Sequence, residues 1–189
     1  MTSIGVYLGA NTGNNPAFSE AVLNLGKEIA RVGARLVYGG SSKGLMGLLA
    51  TAVLSEGGKV TGVITEHLIP KEVPLDTLDE LIVVNTMQER KLIMQERANA
   101  FVVVPGGLGT LEEAFETWNA IKIGTLNKPI GFLNSEGFFN HLFSFISTAE
   151  QAGFISSKQT SIPKIHADPA LLLAQLLVDE TSMAKEFCY

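Results

Sequence analysis

The sequence predicts an α/β fold built on a mostly parallel sheet flanked by helices on both faces, and three observations predict it. Short, near-continuously apolar runs, often β-branched, alternate with segments of helical spacing, as strands buried on both faces and their crossover helices require. Hydrophobic residues make up 46% of the 189 and charged residues 17%, enough core for one domain over residues 1–189 and too apolar for a disordered chain. Three loops that leave predicted strands are rich in glycine, or in glycine and asparagine: Gly9–Pro16, Gly39–Gly44 and Pro105–Thr110. In a doubly wound sheet such strand ends are where ligands bind.

The elements follow in order. Ile4–Leu8 is the first strand, and Phe18, Val22, Leu25, Ile29 and Val32 then recur at helical spacing. Arg35–Tyr38 is the second strand, followed by the stripe Leu45, Leu48, Leu49, Ala52 and Val53. Val60–Ile64 and Leu81–Val84 are the next two, with Glu66 to Asp79, which holds two prolines and several charges, read as a surface loop. A short helix ending near Ala98 carries Met87-Gln88-Glu89-Arg90-Lys91 and leads into Phe101–Val104. The stripe Leu111, Ala114, Phe115, Trp118 and Ile121 precedes the strand Pro129–Leu133, and Phe138, Leu142, Phe145, Ile146 and Ala149 form a further helix. A short strand is expected within Lys158 to Ala167, and a last helix opens with Asp168 as cap and Pro169 at its first position.

Composition excludes several classes. A net charge of -5 argues against a binder of nucleic-acid polymers. The single cysteine, Cys188, rules out a disulfide within the chain and a cysteine metal cluster, and reads as a tail thiol without a role. His67, His141 and His166 are scattered, so no metal or cofactor is expected. The first residues lack a signal-peptide pattern, and the longest apolar stretch, Leu171 to Val178, is too short for a bilayer and contains Gln175. A soluble cytoplasmic protein without membrane contact is the expectation.

Three motifs carry chemistry. Pro105-Gly106-Gly107-Leu108-Gly109-Thr110-Leu111-Glu112-Glu113 leaves a strand and opens a helix, so free backbone N–H groups and the helix dipole suit a phosphate. It fails the G-x-G-x-x-G pattern at Glu112 and lacks the Gly-Lys-Ser/Thr of a P-loop. Thr110 and Glu113 equally have the spacing of a capping box. The second motif, Gly39-Gly40-Ser41-Ser42-Lys43-Gly44, again joins a strand to a helix; with the Pro105 loop it predicts a groove lined by backbone amides. The third is Arg90-Lys91. Such a pair usually marks a solvated face, but if Arg90 faces the Pro105 loop its planar fork can hold a phosphate. Lys91, about 100° round the helix, is expected to be peripheral. Glu113 beside a bound sugar phosphate could stabilise an oxocarbenium-like centre or activate water, and Arg90 would keep it ionised.

With these two motifs together, the chain resembles the Lonely Guy family of cytokinin riboside 5'-monophosphate phosphoribohydrolases, often labelled "lysine decarboxylase-like". The family pattern P-G-G-x-G-T-x-x-E, preceded by a methionine and an R-K pair, is present. The resemblance implies a Rossmann-like single domain, a homodimer or dimer of dimers, and cleavage of a nucleoside 5'-monophosphate to a free, typically N6-substituted adenine and ribose 5-phosphate. By position, Arg90 and Glu113 match the catalytic pair. Gly106, Gly107, Leu108, Gly109, Thr110, Leu111 and Glu112 match the nucleotide-binding loop, with Gly39 and Gly40 beside it, and Lys91 and Glu72 match substrate contacts. No pyridoxal-phosphate lysine site supports the decarboxylase label. Ser41, Ser42 and Lys43 depart from the glycines usual in the family, Asn119 stands where threonine is common, and Leu8-Gly9-Ala10-Asn11-Thr12 replaces a serine-rich segment. Two other readings remain: a nucleotide-binding or sensing module that does not cut its ligand, and a hydrolase of a different phosphorylated nucleoside. The apolar helix around Trp118, Ile121 and Ile123 suits either a dimer interface or burial within one chain.

Overall fold

A computed structural model describes residues 1–183, so Cys188 lies outside the described residues. Seven strands form one sheet in the order β4-β3-β2-β1-β5-β6-β7, and every strand pairing is parallel. The strands are β1 (Ser3–Tyr7), β2 (Arg35–Tyr38), β3 (Lys59–Thr65), β4 (Glu80–Val84), β5 (Ala100–Val103), β6 (Ile130–Leu133) and β7 (Lys164–His166). The helices are α1 (Pro16–Arg31), α2 (Gly44–Ser55), α3 (Ile69–Glu72), α4 (Met87–Arg97), α5 (Leu108–Ile123), α6 (Asn140–Gln151), α7 (Ser157–Thr160) and α8 (Pro169–Met183).

The central strands are buried along their whole length, which is why they read as unbroken apolar runs. Their two faces feed two cores. Val22, Leu25 and Ile29 of α1, Leu45, Leu49 and Val53 of α2 and Leu172 and Leu176 of α8 cover one face. Met94 of α4, Ala114 and Trp118 of α5 and Ile146 of α6 cover the other, around Phe101 and Phe132. This is the doubly wound arrangement that the alternation of elements predicts.

Local chemistry sets the helix ends. Asn15 accepts from the Ala17 N–H at 3.0 Å ahead of Pro16 in the first turn of α1. Thr86 and Glu89 form a reciprocal capping box at α4, so the methionine-to-lysine motif starts a helix at a fixed phase. Asp168 caps α8, accepting from the Leu171 N–H at 2.9 Å ahead of Pro169, as the sequence predicts.

Two expectations are corrected. Glu66 to Asp79 is not simply a loop: a 3-10 turn (Glu66–Leu68) runs into α3, and Pro74 pairs with Ser41 in an isolated antiparallel bridge. Phe138 is not a helix-core residue. A 3-10 turn (Ser135–Gly137), with Glu136 at φ 53°, precedes α6, and Phe138 is left half-exposed outside the helix.

Candidate active site

The order of the strands reverses at β1, which sits between β2 and β5. The connections from β1 and β5 therefore diverge to opposite faces and leave a crevice at their carboxyl ends. A cavity of about 420 Å³ opens there. Its floor is where the first and third glycine-bearing loops meet. A Cβ on Gly106 would overlap Thr110 Oγ1 and stand 2.9 Å from the Gly9 nitrogen, so glycine is required for the two loops to touch.

Helix α5 begins at this floor. Gly107 is its N-cap, with no side chain capping it, so the first-turn amides have no intrahelical partner. Gly107, Gly109 and Thr110 line the cavity, which places free N–H groups and the positive end of the dipole at a ligand's disposal. The capping-box reading of Thr110 and Glu113 is thereby overturned. The helix starts two residues before Thr110, and both side chains are buried within its first two turns. Glu113 is free to face the cavity.

Arg90 comes from α4 and is 4% exposed. Its Nε donates to the Val63 carbonyl at 2.9 Å and its Nη2 to the Gly39 carbonyl at 3.0 Å, while Nη1 lies 3.8 Å from the Met87 sulfur. The fork grips the ends of β3 and β2 and is not free to clamp a phosphate through both of those nitrogens. The cation is instead fixed in the cavity wall, which Arg90 lines. Gly39 makes room for it: a Cβ there would overlap Nη2. Gly39→Ala is therefore expected to push the guanidinium off its two carbonyls, costing about 1–3 kcal/mol by overpacking and lowering turnover by roughly 10²-fold through loss of geometry. A thermal melt beside a rate assay checks both.

Glu113 is 8% exposed. Burial pushes its carboxyl up to about 7, against the pull of the Arg90 cation; Glu112 adds to the rise, Lys91 opposes it, and Glu116 adds a little more. The expectation that Arg90 keeps Glu113 ionised is corrected in degree, because desolvation wins and the group titrates near neutrality.

Lys91 is also corrected. It is not peripheral but 8% exposed, and its Nζ pairs with Glu112 at 2.7 Å and with Glu116. Hydrogen bonding to those two carboxylates raises its pKa. It neutralises acids that would otherwise repel an anion at the start of α5, but it does not line the cavity. Nor do Gly39, Gly40, Leu108 or Leu111: the first two stand behind the wall, Leu108 is 88% exposed and Leu111 packs toward the core.

Glu72 does line the cavity, and its Oε2 is buried with no hydrogen-bond partner among the described residues. Sequence reasoning missed the apolar part of the lining, which includes Phe18, Met46, Leu68, Met87 and Phe138. Helical periodicity placed Phe18 and Phe138 in apolar helical stripes, and only their place at element ends beside the crevice loops could have set them apart. The two rings meet edge to face at 5.5 Å. Among the described residues no lysine lines this cavity, so none of them places an amine there for a Schiff base. Among the described residues no cluster of three acidic, histidine or cysteine side chains could hold a metal, and no helix is long and apolar enough to cross a membrane.

Residues 46–176 match the sequence model of a family described as "Possible lysine decarboxylase". The probable cytokinin riboside 5'-monophosphate phosphoribohydrolase LOG4 of Oryza sativa subsp. japonica is 42% identical over 176 residues, which span 93% of this chain and 76% of that protein. The chain belongs to the Lonely Guy (LOG) family. Cytokinin riboside 5'-monophosphate phosphoribohydrolase LOG1 of Arabidopsis thaliana is 43% identical over 153 residues, 81% of this chain and 72% of that one. Among solved structures, the molybdenum cofactor carrier protein of Chlamydomonas reinhardtii superposes with a TM-score of 0.70 over 97% of the LOG-family chain and 99% of its own, at 24% identity. A molybdenum cofactor binding protein from Rippkaea orientalis gives 0.68 over 95% and 97%, at 22% identity. At that identity the likeness shows the Rossmann-like fold alone.

Proposed function

We propose that this LOG-family chain is a phosphoribohydrolase that cleaves the N-glycosidic bond of adenosine 5'-monophosphates, N6-substituted ones above all, to free base and ribose 5-phosphate. Kinship with LOG enzymes supports the reaction class. The observation that carries the site is Glu113, a buried carboxyl facing a cavity whose floor is an uncapped helix start and whose wall holds a fixed arginine.

The 5'-phosphate sits on the amides of Gly107, Gly109 and Thr110. That holds the ribose within reach of Glu113, whose carboxylate faces C1' as the bond to the base stretches and positive charge grows there. Water adds to C1'; its proton passes to Glu113 or solvent, and the base leaves with the bonding pair and takes up a proton. Arg90 faces both the phosphate and Glu113, favouring the ionised form of each. Glu72, with an unpartnered oxygen, accepts from a donor on the sugar or base. The pairing of Lys91 with Glu112 keeps the phosphate end free of uncompensated negative charge. The sign follows for pH: with the carboxylate as the working form, turnover rises with pH through about 7, where half of the groups are ionised, and levels above it.

A homodimer completes the reading. Leu108, Phe115, Ile123 and Phe154 are exposed, from 37% to 88%, on α5 and the chain after α6, and apolar surface of this kind suits an interface between copies. Phe115→Asp is expected to halve the mass measured by light scattering; an unchanged mass places the interface elsewhere.

Side-by-side rates on AMP, GMP, CMP and N6-isopentenyl AMP test the substrate class. Fastest release from the N6-substituted nucleotide is the expected result. Preference for another base moves the assignment to a different phosphorylated nucleoside, and tight binding without release moves it to a non-cutting nucleotide sensor.

A further inference from the structure

We infer that Ser41 is a positioning residue that sets the Glu72 carboxylate into the cavity by pinning the strap on which it rides. The inference rests on the proposed contact between Glu72 and substrate.

Glu72 is the last residue of α3, a single helical turn on the strap that leaves β3. So short a helix does not fix itself, and its neighbours Pro70, Lys71 and Val73 are exposed. Beyond Val73 the strap is held by Leu75 and Leu78 packing on the core and by Asp79 at β3, but around Glu72 its tie to the rest of the chain is the Ser41–Ser42 loop. The Glu72 carbonyl accepts from Ser41 Oγ at 3.2 Å, from the Ser42 N–H at 3.2 Å and from Ser42 Oγ at 3.4 Å. The Ser42 N–H also lies 3.2 Å from the Val73 carbonyl, and Ser41 bridges to Pro74. Of these anchors Ser41 is the most constrained. It is fully buried, and its hydroxyl accepts from the Lys43 N–H at 3.1 Å while donating to Glu72, so both neighbours fix its direction.

The tie works against a strained turn. Val73, directly after Glu72, sits at φ 43°, ψ 90°, a left-handed region that a β-branched residue avoids. Its side chain is 54% exposed, so burial does not offset the strain. Such a conformation persists only where surrounding bonds over-determine it, and here those bonds come from the Ser41–Ser42 loop. What the strained, tied turn delivers is the Glu72 carboxylate, lining the cavity with one oxygen buried and unpartnered. An unsatisfied acceptor is costly until a ligand donor arrives. Without the Ser41 hydroxyl the carbonyl keeps only its Ser42 bonds, and the strap can relax at Val73 and let the carboxylate swing out to water. Ser41 then acts on binding rather than on the bond-breaking step.

A double-mutant cycle on the full chain tests this, with N6-isopentenyl AMP as substrate and KM and kcat measured separately. Glu72→Gln and Ser41→Ala are each expected to raise KM about tenfold with kcat within twofold, and the double variant to be no worse than Glu72→Gln alone. Ser41→Gly, which removes the hydroxyl without adding volume, repeats the measurement should the alanine variant fold poorly. A raised KM for Glu72→Gln with none for the Ser41 variants overturns the positioning role and leaves the Glu72 contact standing. Additive effects, or equal falls in kcat, overturn it in favour of a general structural role. An unchanged KM in Glu72→Gln overturns the Glu72 contact and the inference with it.

Discussion

Glu113→Gln is expected to lower turnover by about 10²–10⁴-fold while making the folded chain more stable at pH 8. The two effects share a cause. The carboxyl is buried and titrates near 7 in the fold against 4.5 when solvated. Between those pH values the folded chain keeps a proton that the unfolded chain has released, so stability falls as pH rises through that window and is level above it. Glutamine mimics the protonated group and removes the cost, about 3 kcal/mol at pH 8. On the proposed reading, the same substitution removes the negative charge that faces C1'. Melts at pH 4.5 and pH 8 beside single-turnover rates are the check. Near-equal stabilities at the two pH values would mean that Glu113 is not held above its ordinary range, and a variant as fast as wild type would remove it from the chemistry.

Arg90→Ala should be the more damaging change to the fold and comparably damaging to rate. It strands the carbonyls of Val63 and Gly39, each bonded to the guanidinium within 3.0 Å, at about 1–3 kcal/mol for each buried acceptor left unsatisfied. It also removes the cation that lowers the Glu113 pKa, so the acid limb of the rate profile should move above 7. Arg90→Lys separates the two roles. A single ammonium keeps a positive charge but cannot span two carbonyls in the planar geometry of the fork. The lysine variant is therefore expected to hold the pH limb nearer its wild-type place while still losing stability and rate. An unmoved limb in Arg90→Ala would contradict the electrostatic link between the two residues.

Much of this was legible in the sequence, for physical reasons that particular residues show. Strands buried on both faces announce themselves as apolar runs, so Phe101–Val104 and Pro129–Leu133 were plain, and of the three glycine-bearing connections at strand ends, Gly9–Pro16 and Pro105–Thr110 supply residues to the crevice while Gly39–Gly44 does not. Arg90 and Glu113 were singled out because residue type and spacing carry chemistry whatever the packing, and both line the cavity. Partners were not legible. The Arg90 fork is taken up by two backbone carbonyls from strands 27 and 51 residues away in sequence, and a carbonyl leaves no trace in a residue string. Lys91 reads as a surface charge because its acids, Glu112 and Glu116, lie on another helix and meet it only through the fold. The Thr110–Glu113 spacing suited a cap, but Gly107 starts the helix earlier and turns both side chains inward. Val73 lies in a stretch read only as a loop; its positive φ and the bonds that Ser41 and Ser42 make beside it leave no mark in the residue pattern.

The most direct test of the account is the fate of the nucleotide itself. Purified chain with N6-isopentenyl AMP in ¹⁸O-labelled water should release free base and ribose 5-phosphate in equal amounts, with label at C1' of the sugar in product analysed before its hydroxyl exchanges. Recovery of intact nucleotide from a protein that binds it tightly would contradict hydrolysis. Unlabelled sugar would contradict attack by water in the Glu113 cavity.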